Sequence, residues 1–341
     1  MRRRTKIQLF LLDNLVWILL LLFFIYNTFA TDSFFTMRNQ VNILFQSSLM
    51  GMLVLAQGIV MMVGELDLSI DATLAFAPGI TILVTSSMVE PSPFLAILMT
   101  LMIGGLIGLV NGIFIAKLRA NSFLFTLSTQ IIMRGLVLFL IPFSISGLLP
   151  AYAFLGRGRV GGIFPVAAVA FVVIFLIFEF LFSKTIFGRK FLLTGGNRKA
   201  SYISGINTSR VIIMAFVIAG LLAAVAGLIA AGRQNAVSNS MGTNMVMMAF
   251  AGAILGGGSF EGGMGKPIGM LGGALLLGMI DNALTLKGVN VNLVSAAKGG
   301  LIFIAIMLDH FRVKLNAYIL YKENLKNLIE TAEDSAGSVA S

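Results

Sequence analysis

Residues 64–72 read GELDLSIDA, placing Glu65, Asp67 and Asp71 within one short stretch between two apolar runs. Neighbouring carboxylates are the raw material of a general acid–base pair. That chemistry is not completed here, because no nucleophile, histidine or metal ligand accompanies them. The chain has no cysteine and one histidine, His310, which excludes a disulfide framework, a thiolate metal site and a His-rich relay. Carboxylates at membrane depth are costly unless they face a water-filled cavity, a polar partner or the bilayer surface. The stretch therefore reads as lying in one of these settings, near the inner face or at a kink inside the membrane. Arg134, near the middle of STQIIMRGLVL, needs a partner or an aqueous lining for the same reason. Lys298 and Glu179 lie nearer the ends of their apolar runs, where long stems reach the interface.

The elements that must hold these groups are set by composition. Of 341 residues, 58% are hydrophobic and 11% charged, against about 45–50% and about 25% in soluble domains. Mean hydropathy is +0.97. This is the profile of a polytopic membrane protein. The net charge of +10 comes from basic residues between apolar runs, not from a nucleic-acid-binding stripe. Ten runs are long enough to cross a bilayer or nearly so: 11–30, 43–63, 72–89, 94–116, 122–141, 163–183, 210–231, 244–258, 267–286 and 293–309. The eighth is short and glycine-rich, as a broken or re-entrant helix would be. The first, with Trp17 and Tyr26 as interfacial anchors, is too long for a signal h-region and reads as a retained span.

An even number of spans starting inside puts both termini in the cytoplasm. Seventeen Lys and Arg then fall inside and five outside, namely Arg38, Arg157, Arg159, Arg233 and Lys287. That bias satisfies the positive-inside rule. Residues 1–310 form the transmembrane domain on this reading. Residues 311–341 form a cytoplasmic amphipathic segment followed by a disordered tail. GGMGKP lacks the spacing of a nucleotide-binding loop.

Small residues recur every fourth position, as Gly104, Gly108 and Gly112, as Gly265, Gly269 and Gly273, and as Ala219, Ala223, Gly227 and Ala231. Such stripes let backbones approach closely where lipid supplies no hydrophobic drive, so the fold class is an all-α packed bundle. GGGSFEGGMGKPIG has too many glycines for a helix and must be enclosed by protein or line a cavity.

Five stretches, in order from about residue 36 to 309, resemble the permease subunits of sugar-type ABC importers: the ribose, galactose, xylose and autoinducer branch. They are GELDLSI, NGIFIAKLRANSFLFTLSTQIIMRG, FGRKFLLTGGNRKASYISGIN, GGGSFEGGMGKPIGMLGGALLLGMIDNAL and KGGLIFIAIMLD. The resemblance implies a bundle of about ten helices that imports a small polar solute, a monosaccharide or related carbohydrate. It implies a bacterial cytoplasmic membrane, separate ATP-binding subunits that use ATP and magnesium, an extracytoplasmic solute-binding protein, and a second permease copy or paralogue. The chain itself would bind no cofactor and hydrolyse nothing.

The resemblance further implies a coupling helix that docks on the ATP-binding subunit, carried by Gly195, Gly196, Asn197, Arg198, Ala200, Ser201, Ile203, Ser204, Gly205, Ile206 and Asn207. Glycines would let the chain turn tightly there, and Arg198 and Lys199 would meet acidic groups on the partner. Candidates for the translocation path are Glu65, Asp67, Ser69, Asn111, Arg134, Asn282 and Lys298. Two departures stand out: Glu65 replaces a glycine, and Val246 and Met248 stand where the family often has carboxyl groups. Nucleoside or branched-chain amino acid permeases are the nearer alternatives. An ion-coupled secondary transporter is the farther one; its inverted repeat of broken helices is not legible in the sequence.

Overall fold

A computed structural model describes residues 14–90, 92–290 and 293–305, with isolated positions 307, 311, 314–315 and 321–322 beyond them. The basic residues 2–6, His310 and nearly all of the expected surface segment 311–341 lie outside the described residues. The remainder is helical apart from two tiny strand pairs.

The helices are α1 (Leu15–Ala30), α2 (Met37–Met62), α3 (Ile70–Thr85), α4 (Pro93–Lys117) and α5 (Ser122–Leu140), then α6 (Phe154–Arg157) and α7 (Val166–Lys184). There follow α8 (Ile186–Gly196), α9 (Arg198–Ile203), α10 (Thr208–Gln234), α11 (Met245–Leu255), α12 (Pro267–Leu286) and α13 (Leu293–Ala305). Six of them, α2, α4, α5, α7, α10 and α12, are long and apolar enough to cross a membrane. Four shorter apolar helices, α1, α3, α11 and α13, bring the number close to the ten expected.

Starts are written into the sequence. Thr36, Ser92, Asn121 and Asn207 cap α2, α4, α5 and α10 by accepting from the backbone N–H three residues on. Pro93 and Pro267 open α4 and α12, where a missing N–H costs nothing.

Close packing sits where the small-residue stripes lie. A Cβ added at Gly104 would stand 2.4 Å from Gly220 O, and one at Gly108 2.1 Å from Phe216 O, so α4 and α10 touch backbone to backbone. Gly269 and Gly273 bring α12 equally close to Gly256 O and Gly252 O at the end of α11. Pro78 lacks the N–H that Leu74 O would accept inside α3, and Gly227 of α10 packs on that freed carbonyl.

The bundle contains an inverted repeat. Long α2 is followed by an irregular stretch and short α3, and then α4 and α5. Long α10 is followed by an irregular stretch and short α11, and then α12 and α13. Helix α10 packs on α3 and α4, while α2 packs on α11 and α12. The chain runs through the two units in opposite senses: Met62 at the end of α2 meets Gly195 and Gly263, near which α10 begins rather than ends. The paired broken helices not legible in the sequence are therefore present. They belong to this fold and do not by themselves indicate ion coupling.

At the opposite end, residues 141–165 form an ordered cap. Strand β1 (Ile145–Ser146) pairs antiparallel with β4 (Ala236–Val237), and β2 (Arg159–Val160) with β3 (Phe164–Pro165). Gly156 packs on Ile229 O and the Gly232–Arg233 backbone, and the buried Tyr152 hydroxyl lies 2.9 Å from Thr100 Oγ1. Strands of two residues have no readable period, so the sequence reading placed none there.

Candidate functional site

The segment between α2 and α3 climbs into the bundle beside α4 and α5. Gly64, at φ +77°, makes the turn that starts it. Its backbone is held by the threonine face of α5: Leu66 N–H donates to Ser122 Oγ at 3.3 Å, and Leu68 N–H to Thr126 Oγ1 at 3.0 Å. Asp67 is buried, and its Oδ1 accepts from Ser69 N–H at 2.8 Å and Ser69 Oγ at 2.6 Å, which fixes the entry to α3. Asn111 of α4 then donates to Ser69 Oγ at 2.9 Å and accepts from Thr129 Oγ1 at 3.0 Å. Buried polar groups must be partnered. This cluster satisfies them mutually.

A second knot follows. Helix α3 begins at Ile70, so Asp71 lies in its first turn and not in an interruption before it. Asp71 Oδ1 accepts from Gln130 Nε2 at 2.8 Å, and Oδ2 pairs with Arg134 Nη2 at 3.4 Å. Val246, in the first turn of α11, lies close to the Asp71 carboxylate. Arg134 completes the knot by donating to Asp71 O at 3.0 Å and to Met241 O at 2.6 Å. The two short helices thus meet N-terminus to N-terminus, where both present unpaired N–H groups and positive dipole ends. The Asp71 carboxylate answers both, and Arg134 ties the arrangement to residues 235–244.

Glu65 departs from this inward path. Its Oε1 lies 3.3 Å from Arg198 Nη1. Burial pushes the Glu65 carboxyl above its ordinary value, while Ser122 and Arg198 pull it back. Arg198, expected to meet an acidic partner protein, is thus turned onto its own chain.

The polar segment after α7 folds as α8 and α9. Thr185 caps α8, and Asn197 accepts from Ala200 N–H at 2.8 Å to cap α9. Ser201 Oγ donates to Leu193 O at 2.7 Å and clasps the two together, and Ser204 Oγ bonds Ala200 O at 3.0 Å. The expected tight turns at Gly195 and Gly196 are not there, since both are the last residues of α8. Gly195 serves close approach instead, a Cβ there standing 2.0 Å from Met62 O. Gly205, at φ +83°, does turn the chain, and Ile206 N–H closes back on Ser201 O before Asn207 caps α10. Tyr202 and Ile203 project from α9 at 71% and 76% exposure. Beside them lies an open cleft of about 780 Å³ lined by Lys117, Tyr202, Gly205 to Arg210 and Ile213.

The structure gathers Glu65, Asp67, Ser69, Asn111 and Arg134 around one segment. Asn282 and Lys298 lie elsewhere. Asn282 exchanges two hydrogen bonds with Asn39 of α2, at 2.9 and 2.8 Å. Lys298 pairs with Asp281 at 3.0 Å instead of reaching for an interface, and Glu179 accepts from Ile268 N–H at 2.9 Å. Thr126, Thr129, Gln130 and Met241 were missed. The first three had a signal, since Ser122, Thr126, Thr129, Gln130 and Arg134 share one face at helical spacing. Met241 contributes a backbone carbonyl and had none.

A helical bundle with two inverted halves, half-helices meeting at a buried polar knot and a short amphipathic projection at one end defines a membrane transport subunit. Residues 39–307 match the family described as branched-chain amino acid transport system / permease component, and the chain belongs to that family. It is 37% identical to the ribose import permease protein of Bacillus subtilis (strain 168) over 280 residues, covering 81% of this chain and 86% of that one. It is 31% identical to the L-arabinose ABC transporter permease protein of Azospirillum brasilense, covering 89% of each. It is 30% identical to the galactose/methyl galactoside import permease protein of Salmonella typhimurium, over 87% of this chain and 94% of that one. No solved structure matches it.

Proposed function

We propose that this chain is the membrane-spanning subunit of a binding-protein-dependent ABC importer and that its cargo is a monosaccharide or a related carbohydrate. The observation that carries the reading is the α8–α9 projection. It ends in an exposed Tyr202 and Ile203, a costly surface for a water-facing loop and an apt one for docking. The relatives' sugar-import names support the cargo class. The basic residues at the α8–α9 end support a cytoplasmic orientation for it, with both termini on that side of a bacterial inner membrane.

ATP-binding subunits on the inside would supply the work, and a solute-binding protein outside would deliver the cargo. A second permease copy or paralogue would complete the path. ATP binding biases the bundle between outward and inward access. The knot at Asp71 and Arg134 lies between the two repeats, where such a change must act.

The test is uptake of labelled ribose, arabinose, galactose, allose and leucine into vesicles containing the chain, its ATP-binding subunit and its binding protein. Saturable sugar uptake that requires internal ATP is expected. Leucine uptake alone would move the cargo to the amino acid branch. Uptake that survives loss of the ATP-binding subunit and collapses with an ionophore would refute the importer reading.

A further inference from the structure

We propose that Arg198 is a positioning residue whose pairing with Glu65 makes the α8–α9 projection and the start of the buried polar segment move as one body. This deepens the importer reading and rests on it.

The geometry is a three-way junction. Arg198 opens α9, its Nη1 is 3.3 Å from Glu65 Oε1, and its Nη2 donates to Ala116 O at 3.4 Å. The same carbonyl accepts from Ser209 Oγ at 3.4 Å. One guanidinium therefore joins α9, the α2–α3 connection and the end of α4, while Ser209 adds the start of α10. A flexible point charge would not span these sites, whereas the planar fork of arginine does.

Around the pair there is no slack. Gly263 N–H donates to Met62 O at 3.1 Å. A Cβ at Gly262 would stand 2.7 Å from Gly64 Cα and 2.9 Å from Gly195 O, and one at Gly263 2.6 Å from Gly196 Cα. Three stretches far apart in sequence thus interlock through backbone alone. The pair is half-buried: the Glu65 side chain is 15% exposed and that of Arg198 42%.

From Glu65 the contacts run on without a gap. Leu66 and Leu68 hang on Ser122 and Thr126, Asp67 and Ser69 lead to Asn111 and Thr129, and Asp71 leads through Arg134 to Met241. Spatial continuity alone does not establish energetic coupling, which needs an element that both ends bias. Here that element is the meeting of α3 and α11. A pull on α9 reaches the α3 side of it through residues 64–71, while Met241 holds the α11 side.

The experiment measures sugar uptake and ATP hydrolysis together in proteoliposomes carrying the chain with its ATP-binding subunit and binding protein. Glu65→Gln and Arg198→Gln should each lower uptake per ATP hydrolysed by about fivefold or more, the range of ordinary coupling energies. Subunit assembly and Tm should stay near wild type. The charge exchange Glu65→Arg with Arg198→Glu should restore most of the loss. Unchanged uptake per ATP in both single variants overturns the proposal, as does an exchange that folds and recovers nothing. So does loss of subunit binding in Arg198→Gln but not in Glu65→Gln, which would make Arg198 a partner contact. ATP-independent uptake by the wild type would instead refute the importer reading. A second measurement does not depend on the energy source: the chain lacks cysteine, so Glu65→Cys with Arg198→Cys can be bridged by a short bis-methanethiosulfonate, each thiol forming a disulfide with loss of methanesulfinate. The unbridged variant should show the lowered uptake of the single variants and bridging should raise it, whereas uptake lowered further on bridging and regained on reduction would overturn the proposal.

Discussion

Arg134 concentrates more of the buried polar structure than any other single side chain described above. Its two terminal nitrogens hold a carboxylate and two backbone carbonyls, so charge alone does not replace it. Arg134→Lys keeps the charge and loses the fork, and uptake should fall severalfold while the protein still folds. Arg134→Leu leaves the Asp71 carboxylate with Gln130 as its remaining side-chain partner. Removing one member of a fully enclosed pair costs about 3–5 kcal/mol. Arg134 retains 23% side-chain exposure, so the expected loss is nearer about 2 kcal/mol, read as a lowered Tm in detergent. A wild-type Tm would show the knot to be incidental. Asp67→Ala should also lower uptake at normal expression, because Ser69, to which Asn111 donates, loses the acceptor that orders it. Asn282 answers differently. Its bonds to Asn39 pin α12 to α2, so Asn282→Ala should act on stability before it acts on transport.

The helices divide into those that carry the frame and those that meet at the knot. Helices α4 and α10 are locked through Gly104, Gly108 and Gly220, with no room for a side chain between them. Gly108→Val should therefore cost about 1–3 kcal/mol by overpacking, seen as poor recovery and a lowered Tm, and an unchanged Tm would show that the helices can part. The short helices α3 and α11 are packed as tightly along their lengths, through Gly227 on Leu74 O and Gly273 on Gly252 O, and in addition meet each other at their N-termini. At the projecting end, Gly205 has a positive φ and nothing within 4 Å of the Cβ it would carry. Gly205→Val should strain the turn between α9 and α10, and transport with ATPase stimulation should fall while membrane insertion stays intact. The apolar runs and the glycine stripes were legible because each is a local rule. The inverted repeat was not, since it resides in directions and pairings that leave no periodic trace. The strands of the cap were too short to announce themselves.

Taken entire, the molecule has a polar junction at one end, a buried polar knot and a capped opposite end bearing Arg157, Arg159 and Arg233. Its lack of cysteine gives a clean background for testing orientation. A single cysteine at Lys199 should react with a membrane-impermeant thiol reagent only from the cytoplasmic side, and one at Arg157 only from the other. The reverse pattern would place the α8–α9 projection away from any ATP-binding subunit.

Composition and the spacing of apolar runs were enough to define a polytopic helical bundle, because lipid forces every span to satisfy its own backbone and to contact its neighbours through small residues. Which polar groups belong together was decided only by the fold. Glu65 and Arg198, or Asp71 and Met241, are brought within reach by helices that return past one another. Such long-range contacts depend on how two halves of the chain are inverted and interlocked, and no local pattern of residue types encodes that.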